Sequence, residues 1–141
     1  MPRDIALRLE KAETFWTTAR ALQRRDPDSA ISRAYYAVYH SCVALLLARV
    51  LQRETDESIR ARNHREILTL TGREFGLQMD QMRVRRGYGS TFTESLWRIA
   101  AARSDADYGL DRNSELMART EIQFARRVVT AVKEILSSIE P

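Results

Sequence analysis

The sequence predicts an all-α protein, and three observations carry that prediction. Only five glycines and three prolines interrupt 141 residues, and the prolines stand at 2, 27 and 141. Strand-like alternation of apolar and polar residues is absent, whereas apolar residues recur at steps of three and four. The length suits one domain spanning 1–141 with one continuous core.

The elements follow in order. Ile5, Leu9, Ala12, Trp16, Ala19 and Leu22 make a helical stripe from about Pro2 to Arg25, with Pro2 suited to a first turn and Asp26-Pro27-Asp28 ending it. Asp28 or Ser29 is then expected to cap a second helix reaching about Arg53, with Ile31, Ala34, Tyr35, Val38, Cys42 and Leu45 on one side. Tyr36, Tyr39, Val43, Leu46 and Val50 widen that surface beyond one stripe, which predicts a central position.

Glu54 to Arg62 is polar and reads as a loop. Asn63-His64-Arg65-Glu66 has capping-box spacing and opens a third helix that should end near Gly76. A short helix from Asp80 to Arg86 follows, broken by Gly87-Tyr88-Gly89, and a second box at Thr91 to Glu94 starts a helix through Leu96, Ile99, Ala100 and Arg103. Asp105 to Asn113 reads as a polar connection. Asn113 or Ser114 caps a long terminal helix whose seam is Ala118, Ile122, Ala125, Val129, Val132, Leu136 and Ile139, broadened by Val128 and Ile135 into a face for a bundle core.

Composition narrows the function. With 44% hydrophobic and 30% charged residues the chain reads as globular. The longest apolar run, Val43 to Ala48, is far short of a membrane span, and the opening residues lack a signal-peptide core, so a cytoplasmic protein without membrane contact is expected. Cys42 is the single cysteine and reads as a buried structural thiol. His40 and His64 have no zinc-ligand spacing, so neither a metal nor a cofactor is expected.

The net charge is +4, and only two of the 23 cations, Lys11 and Lys133, are lysines. Arginine binds phosphate bidentately and stacks on bases, which points to nucleic acid or nucleotides; a genome-wide arginine bias would produce the same composition.

Two clusters could carry chemistry. Tyr35, Tyr36 and Tyr39 lie with Arg33 and His40 in one helix, and Arg33 and His40 share a face two turns apart. The rings either stack on bases or pack into the core with hydroxyls at its edge. The second cluster is Arg103-Ser104-Asp105-Ala106-Asp107-Tyr108. It is either a phosphate-holding arginine beside groups able to move a proton, or a surface ion pair ending a helix. As an exposed helix-end residue, Arg103 is expected to contribute no more than roughly 0.5 kcal/mol to stability.

Together these segments carry a resemblance. Ser32-Arg33-Ala34-Tyr35-Tyr36-Ala37-Val38-Tyr39-His40 with Leu45-Leu46, and then Arg103-Ser104-Asp105-Ala106-Asp107-Tyr108, resemble the two signature segments of one branch of the HEPN domain family. The resemblance covers most of the chain from Ile31 onward. It implies an up-and-down bundle of four or five helices, dimerisation, and polar motifs of both subunits around a shared cleft. Many such relatives are metal-independent ribonucleases, and many are toxins encoded beside a small nucleotidyltransferase that serves as antitoxin; others are accessory modules.

On this basis Arg103, Asp107 and Tyr108 are the candidate catalytic residues, and Arg33, Tyr36 and His40 the candidate contacts to RNA or a nucleotide. In the nuclease branches four to six residues separate the arginine from a following histidine, whereas here four residues separate Arg103 from Tyr108. A phenol with an ordinary pKa of about 10 is a poor base at neutral pH. Two functions therefore compete: a toxin-like protein that cuts or binds RNA, and a non-catalytic module binding a nucleotide or protein partner in a dimer cleft. A purely structural bundle is a third reading. A di-metal carboxylate bundle is disfavoured, because no Glu-x-x-His pair occurs.

Overall fold

The computed structural model describes residues 1–138, which form six helices and, among the described residues, no strand. Helix α1 spans Arg3–Leu22, with Pro2 at its N-cap. It stops three residues short of Arg25 because the chain must turn before Pro27, and Asp26 N–H closes that turn on the Leu22 carbonyl at 2.8 Å. Helix α2, Pro27–Arg49, is capped by Asp26 rather than by Asp28 or Ser29. The Asp26 carboxylate accepts from the Ser29 N–H (3.2 Å) and hydroxyl (2.6 Å), and Pro27 occupies the first turn, where no backbone donor is needed. The helix ends before Arg53, with the Leu51 N–H folding back onto the Leu46 carbonyl at 2.7 Å.

The polar stretch expected as a loop contains a short helix, α3 (Asp56–Arg60), capped by Thr55. Its anchor is Ile59, fully buried among polar neighbours. Asn63 caps helix α4 as its spacing predicts, accepting from the Glu66 N–H at 2.8 Å. That helix, His64–Gln81, runs through Gly76 instead of ending there. A Cβ at Gly72 would lie 3.0 Å, and one at Gly76 3.1 Å, from Thr93 Oγ1. These glycines let α4 approach α5 closely; neither is a helix stop.

The separate helix expected at Asp80 to Arg86 is not formed. Asp80 belongs to the last turn of α4 and accepts from the Phe92 N–H at 2.7 Å, and the chain leaves through Arg83 in the left-handed region (φ 60°). Thr91 caps helix α5, accepting from the Glu94 N–H at 3.1 Å. The helix continues past Arg103 to Tyr108, so Asp105 to Tyr108 are helical rather than part of the connection. Ser114 caps helix α6, Glu115–Ser137. Asn113 instead ties the start of α6 to α2, donating to Asp28 from its backbone (3.1 Å) and side chain (2.9 Å).

Helix α2 is the centre of the bundle, packed by α1, α4, α5 and α6. Its residues from Ala30 to Leu47 are buried on nearly every side, which accounts for apolar positions too broad for one stripe. Helix α6 packs against α2 and α1 through the expected seam from Ala118 to Leu136, with Val128 and Ile135 also buried; Ile139 lies outside the described residues. Glu13 of α1 straps the two helices, accepting from Arg126 at 2.8 and 2.9 Å and from Lys133. The Arg126 hydrogen bond, opposed by burial and assisted by Lys133, holds this carboxyl at about 2. Cys42 is fully buried, and burial pushes its thiol up to about 12, as a structural residue requires. Among the described residues no helix is long and apolar enough to cross a membrane.

Candidate functional site

Helix α2 presents Tyr35, Tyr36, Tyr39 and His40 along one side, because steps of one, four and five residues keep side chains within a single helical sector. Tyr35 and Tyr39 are buried and Tyr36 half-buried. Arg103 reaches across from α5, and its guanidinium donates to the Tyr36 hydroxyl at 2.9 Å. The same guanidinium carbon lies 5.5 Å from the ring centres of both Tyr35 and Tyr36. One turn further along α5, Asp107 Oδ2 is 3.0 Å from Arg103 Nε. Arginine is suited to this position, since its planar cation can stack on two rings and bond a hydroxyl while pairing in charge with a carboxylate; Nε itself is buried without a hydrogen-bond partner among the described residues.

On the other side of the tyrosine platform stands His64, the first residue of α4. Its Nδ1 is 2.8 Å from the Tyr35 hydroxyl, and its ring stacks on Tyr39 with centres 4.0 Å apart. Burial, and then the nearby charge of Arg103, lower the His64 pKa from its ordinary 6.5, so the imidazole is neutral at pH 7. Burial pushes the Tyr35 phenol far above its usual range, against the pull of Arg103, and it remains a neutral hydroxyl.

A cleft of about 570 Å³ opens beside the platform. Tyr36, Tyr39 and His40 form its wall from α2, Asp4, Leu7, Arg8 and Lys11 its wall from α1, and Arg60, Arg62 and His64 its third side. Arg8, Lys11, Arg60 and Arg62 line the opening with Asp4; Arg62 is held by Glu54 at 2.6 and 3.2 Å, and the remaining excess of cations favours an anionic ligand. His40 is nearly buried, stacked on Phe15, with Nδ1 2.7 Å from the Arg8 guanidinium. Arginine can only donate, so Nδ1 is the acceptor and His40 holds its proton on Nε2.

The structure therefore brings Arg103, Asp107 and Tyr36 into contact and places Tyr36 and His40 in the cleft wall. It does not gather all the predicted residues. Arg33 is exposed outside the cleft, 5.9 Å from the Phe15 ring centre, and Tyr108, the last residue of α5, is 76% exposed. Arg103 itself departs from the expected exposed helix end, since two rings, a hydroxyl and a carboxylate enclose it. His64, Arg8, Lys11, Arg60 and Arg62 escaped the sequence reading. Arg8 had a legible signal, a cation between Ile5 and Ala12 on the apolar stripe of α1. His64 had none, for its partners Tyr35 and Tyr39 approach only through the packing of α4 on α2.

The coupling between Arg103 and His64 yields an expected result. In Arg103→Gln the His64 titration midpoint, followed by NMR, should move up from its wild-type value while staying below the ordinary imidazole value, because burial persists. Since the fold disfavours His64 protonation, the associated stability is present above the ordinary imidazole pKa and is lost as pH falls toward the lowered one. An unchanged midpoint would mean that the two groups do not share a field.

Comparison with known proteins adds two findings. A sequence model described as the HEPN domain matches residues 5–135. A protein of Methanocaldococcus jannaschii that bears the name "Putative toxin MJ0605" is 29% identical over 138 residues, covering 94% of this chain and 92% of that relative.

Proposed function

The chain belongs to the HEPN domain family, and from that premise we propose that it is a cytoplasmic toxin acting on RNA by metal-independent cleavage, paired with a small nucleotidyltransferase-type antitoxin. The observation that carries this reading is the 2.9 Å bond from Arg103 to Tyr36, which joins two signature segments 67 residues apart into one site. In this reading Arg103 neutralises charge developing on a phosphate, Asp107 aligns the guanidinium, and the Tyr108 hydroxyl serves the same site from the helix end. Arg33, Tyr36 and His40 contact the nucleic acid. The toxin name of the archaeal relative points the same way.

A second reading, a non-catalytic module that binds a nucleotide or protein partner, is favoured by the exposure of Tyr108 and by the engagement of Arg103 within its own chain. Purified protein incubated with mixed RNA in excess chelator separates the two. Cleavage that disappears in Arg103→Ala supports the nuclease; retention of RNA on the protein without cleavage supports the module.

A symmetric homodimer belongs to the proposal, because the family mechanism uses a cleft shared by two subunits. Leu110 is fully exposed and Leu116 is 65% exposed, beside Met117 and Tyr108 at the α5–α6 corner, more apolar surface than one corner of a monomer usually leaves in water. Light scattering should give about twice the 16.3 kDa chain mass. A strict monomer at high micromolar concentration would count against the shared cleft.

A further inference from the structure

We propose that His64 is the proton-transfer residue of this chain, acting on an RNA phosphodiester held in the cleft between α1, α2 and α4. The inference rests on the RNA-directed reading above and supplies the group that reading lacks: a base able to work at neutral pH. Asp107 is tied to Arg103, and Tyr108 is an exposed phenol. His40 spends Nδ1 on Arg8 and is nearly sealed from solvent.

His64 has the opposite arrangement. The step uses the tautomer in which Nδ1–H donates to the Tyr35 hydroxyl oxygen and Nε2 keeps its lone pair; with Tyr39 against the ring's face, the ring plane is fixed. Among the described residues its other ring nitrogen, Nε2, has no hydrogen-bond partner, and the residue lines the cleft. Around the same opening stand cations suited to a phosphate, Lys11 among them, and the half-buried Tyr36 lines the wall where a base would lie. Arg103 does not line this cleft; it bonds the hydroxyl of Tyr36, which does, so its charge favours a phosphate there through that hydroxyl. The imidazole is neutral at pH 7 and so able to accept a proton.

The step balances without an added reagent. Nε2 takes the proton of the RNA 2′-hydroxyl as that oxygen forms a bond to phosphorus. The bond from phosphorus to the 5′ oxygen then breaks, and the departing oxygen receives the same proton through His64 or a water molecule. The products are a 2′,3′-cyclic phosphate and a 5′-hydroxyl, with no net change in protons.

The test uses the full chain and an RNA oligonucleotide in excess chelator. His64→Asn keeps a polar atom where Nδ1 meets Tyr35 but has nothing in place of Nε2. It should stay folded, with a melting temperature lowered only by the lost ring contact with Tyr39, and lose on the order of 10²-fold to 10⁴-fold in cleavage rate. His64→Ala should lose as much and recover part of its rate when imidazole is added, a response no purely structural role produces. Cleavage by His64→Asn at the wild-type rate overturns this inference and leaves the RNA-directed reading standing; an inactive wild type overturns both. Where a variant does not fold, the wild type decides: an oligonucleotide made uncleavable by 2′-deoxy substitution should shift the His64 ring resonances, and no shift overturns the proposal.

Discussion

Arg86→Met is expected to destabilise the fold by about 3–5 kcal/mol at pH 7, as follows when one partner of a buried ion pair is removed. Glu121 is 1% exposed inside α6, and its Oε1 accepts from Arg86 Nε at 2.5 Å, while Oε2 has no hydrogen-bond partner among the described residues. Burial raises the Glu121 pKa and Arg86 opposes that rise. A carboxyl raised in the folded state contributes full stability below its unfolded pKa and loses it as pH climbs through the folded value. Without Arg86 that loss should grow, so the variant should approach wild type in acid and fall furthest behind at neutral pH. Adding Glu121→Met should restore most of the difference, because a well-packed apolar pair avoids the desolvation cost. Chemical denaturation at acid and neutral pH reads both effects; equal destabilisation at every pH would mean that Arg86 acts by packing alone.

The second large effect is on function. Arg103→Ala is expected to lower RNA cleavage by roughly 10²-fold to 10³-fold, the usual consequence of removing a preorganised donor at developing negative charge. The structure also revises what the variant does to stability. An exposed arginine would contribute little, but this one stacks on Tyr35 and Tyr36 and donates to the Tyr36 hydroxyl. Its loss should therefore cost about 1–2 kcal/mol, the scale of a hydrogen bond with a cation–π contact. The pair with Asp107 adds little, since both side chains keep a quarter or more of their surface in water. Arg103→Lys separates the contributions: charge survives while the planar fork is lost, so binding should fall less than cleavage. Cleavage by Arg103→Ala at the wild-type rate would remove Arg103 from the mechanism.

Much of this architecture was legible in the chain. The stripes of α1 and α6 and the breadth of α2 follow directly from apolar spacing, and Asn63, Thr91 and Ser114 cap where their side chains can reach a backbone donor. The errors have one physical origin. A glycine that ends a helix and a glycine that admits a neighbouring helix look alike in sequence, and only Thr93 against Gly72 and Gly76 tells them apart. Asp80 likewise looks like the start of a helix, yet its carboxylate serves the start of α5 twelve residues later. At the site, Arg103 and Tyr36 could be singled out because each sits in a distinctive segment. His64 could not, for at the head of α4 it looks like any polar residue after a cap, and its role depends on α4 laying it against Tyr35 and Tyr39.

The central claim, an RNA-directed site built on Arg103, is tested most directly by the ends of the RNA it leaves. Wild-type protein incubated with an all-RNA oligonucleotide in excess chelator should yield fragments ending in a 2′,3′-cyclic phosphate and a 5′-hydroxyl, read by mass spectrometry. An oligonucleotide recovered intact, or cleaved equally by Arg103→Ala, would contradict it.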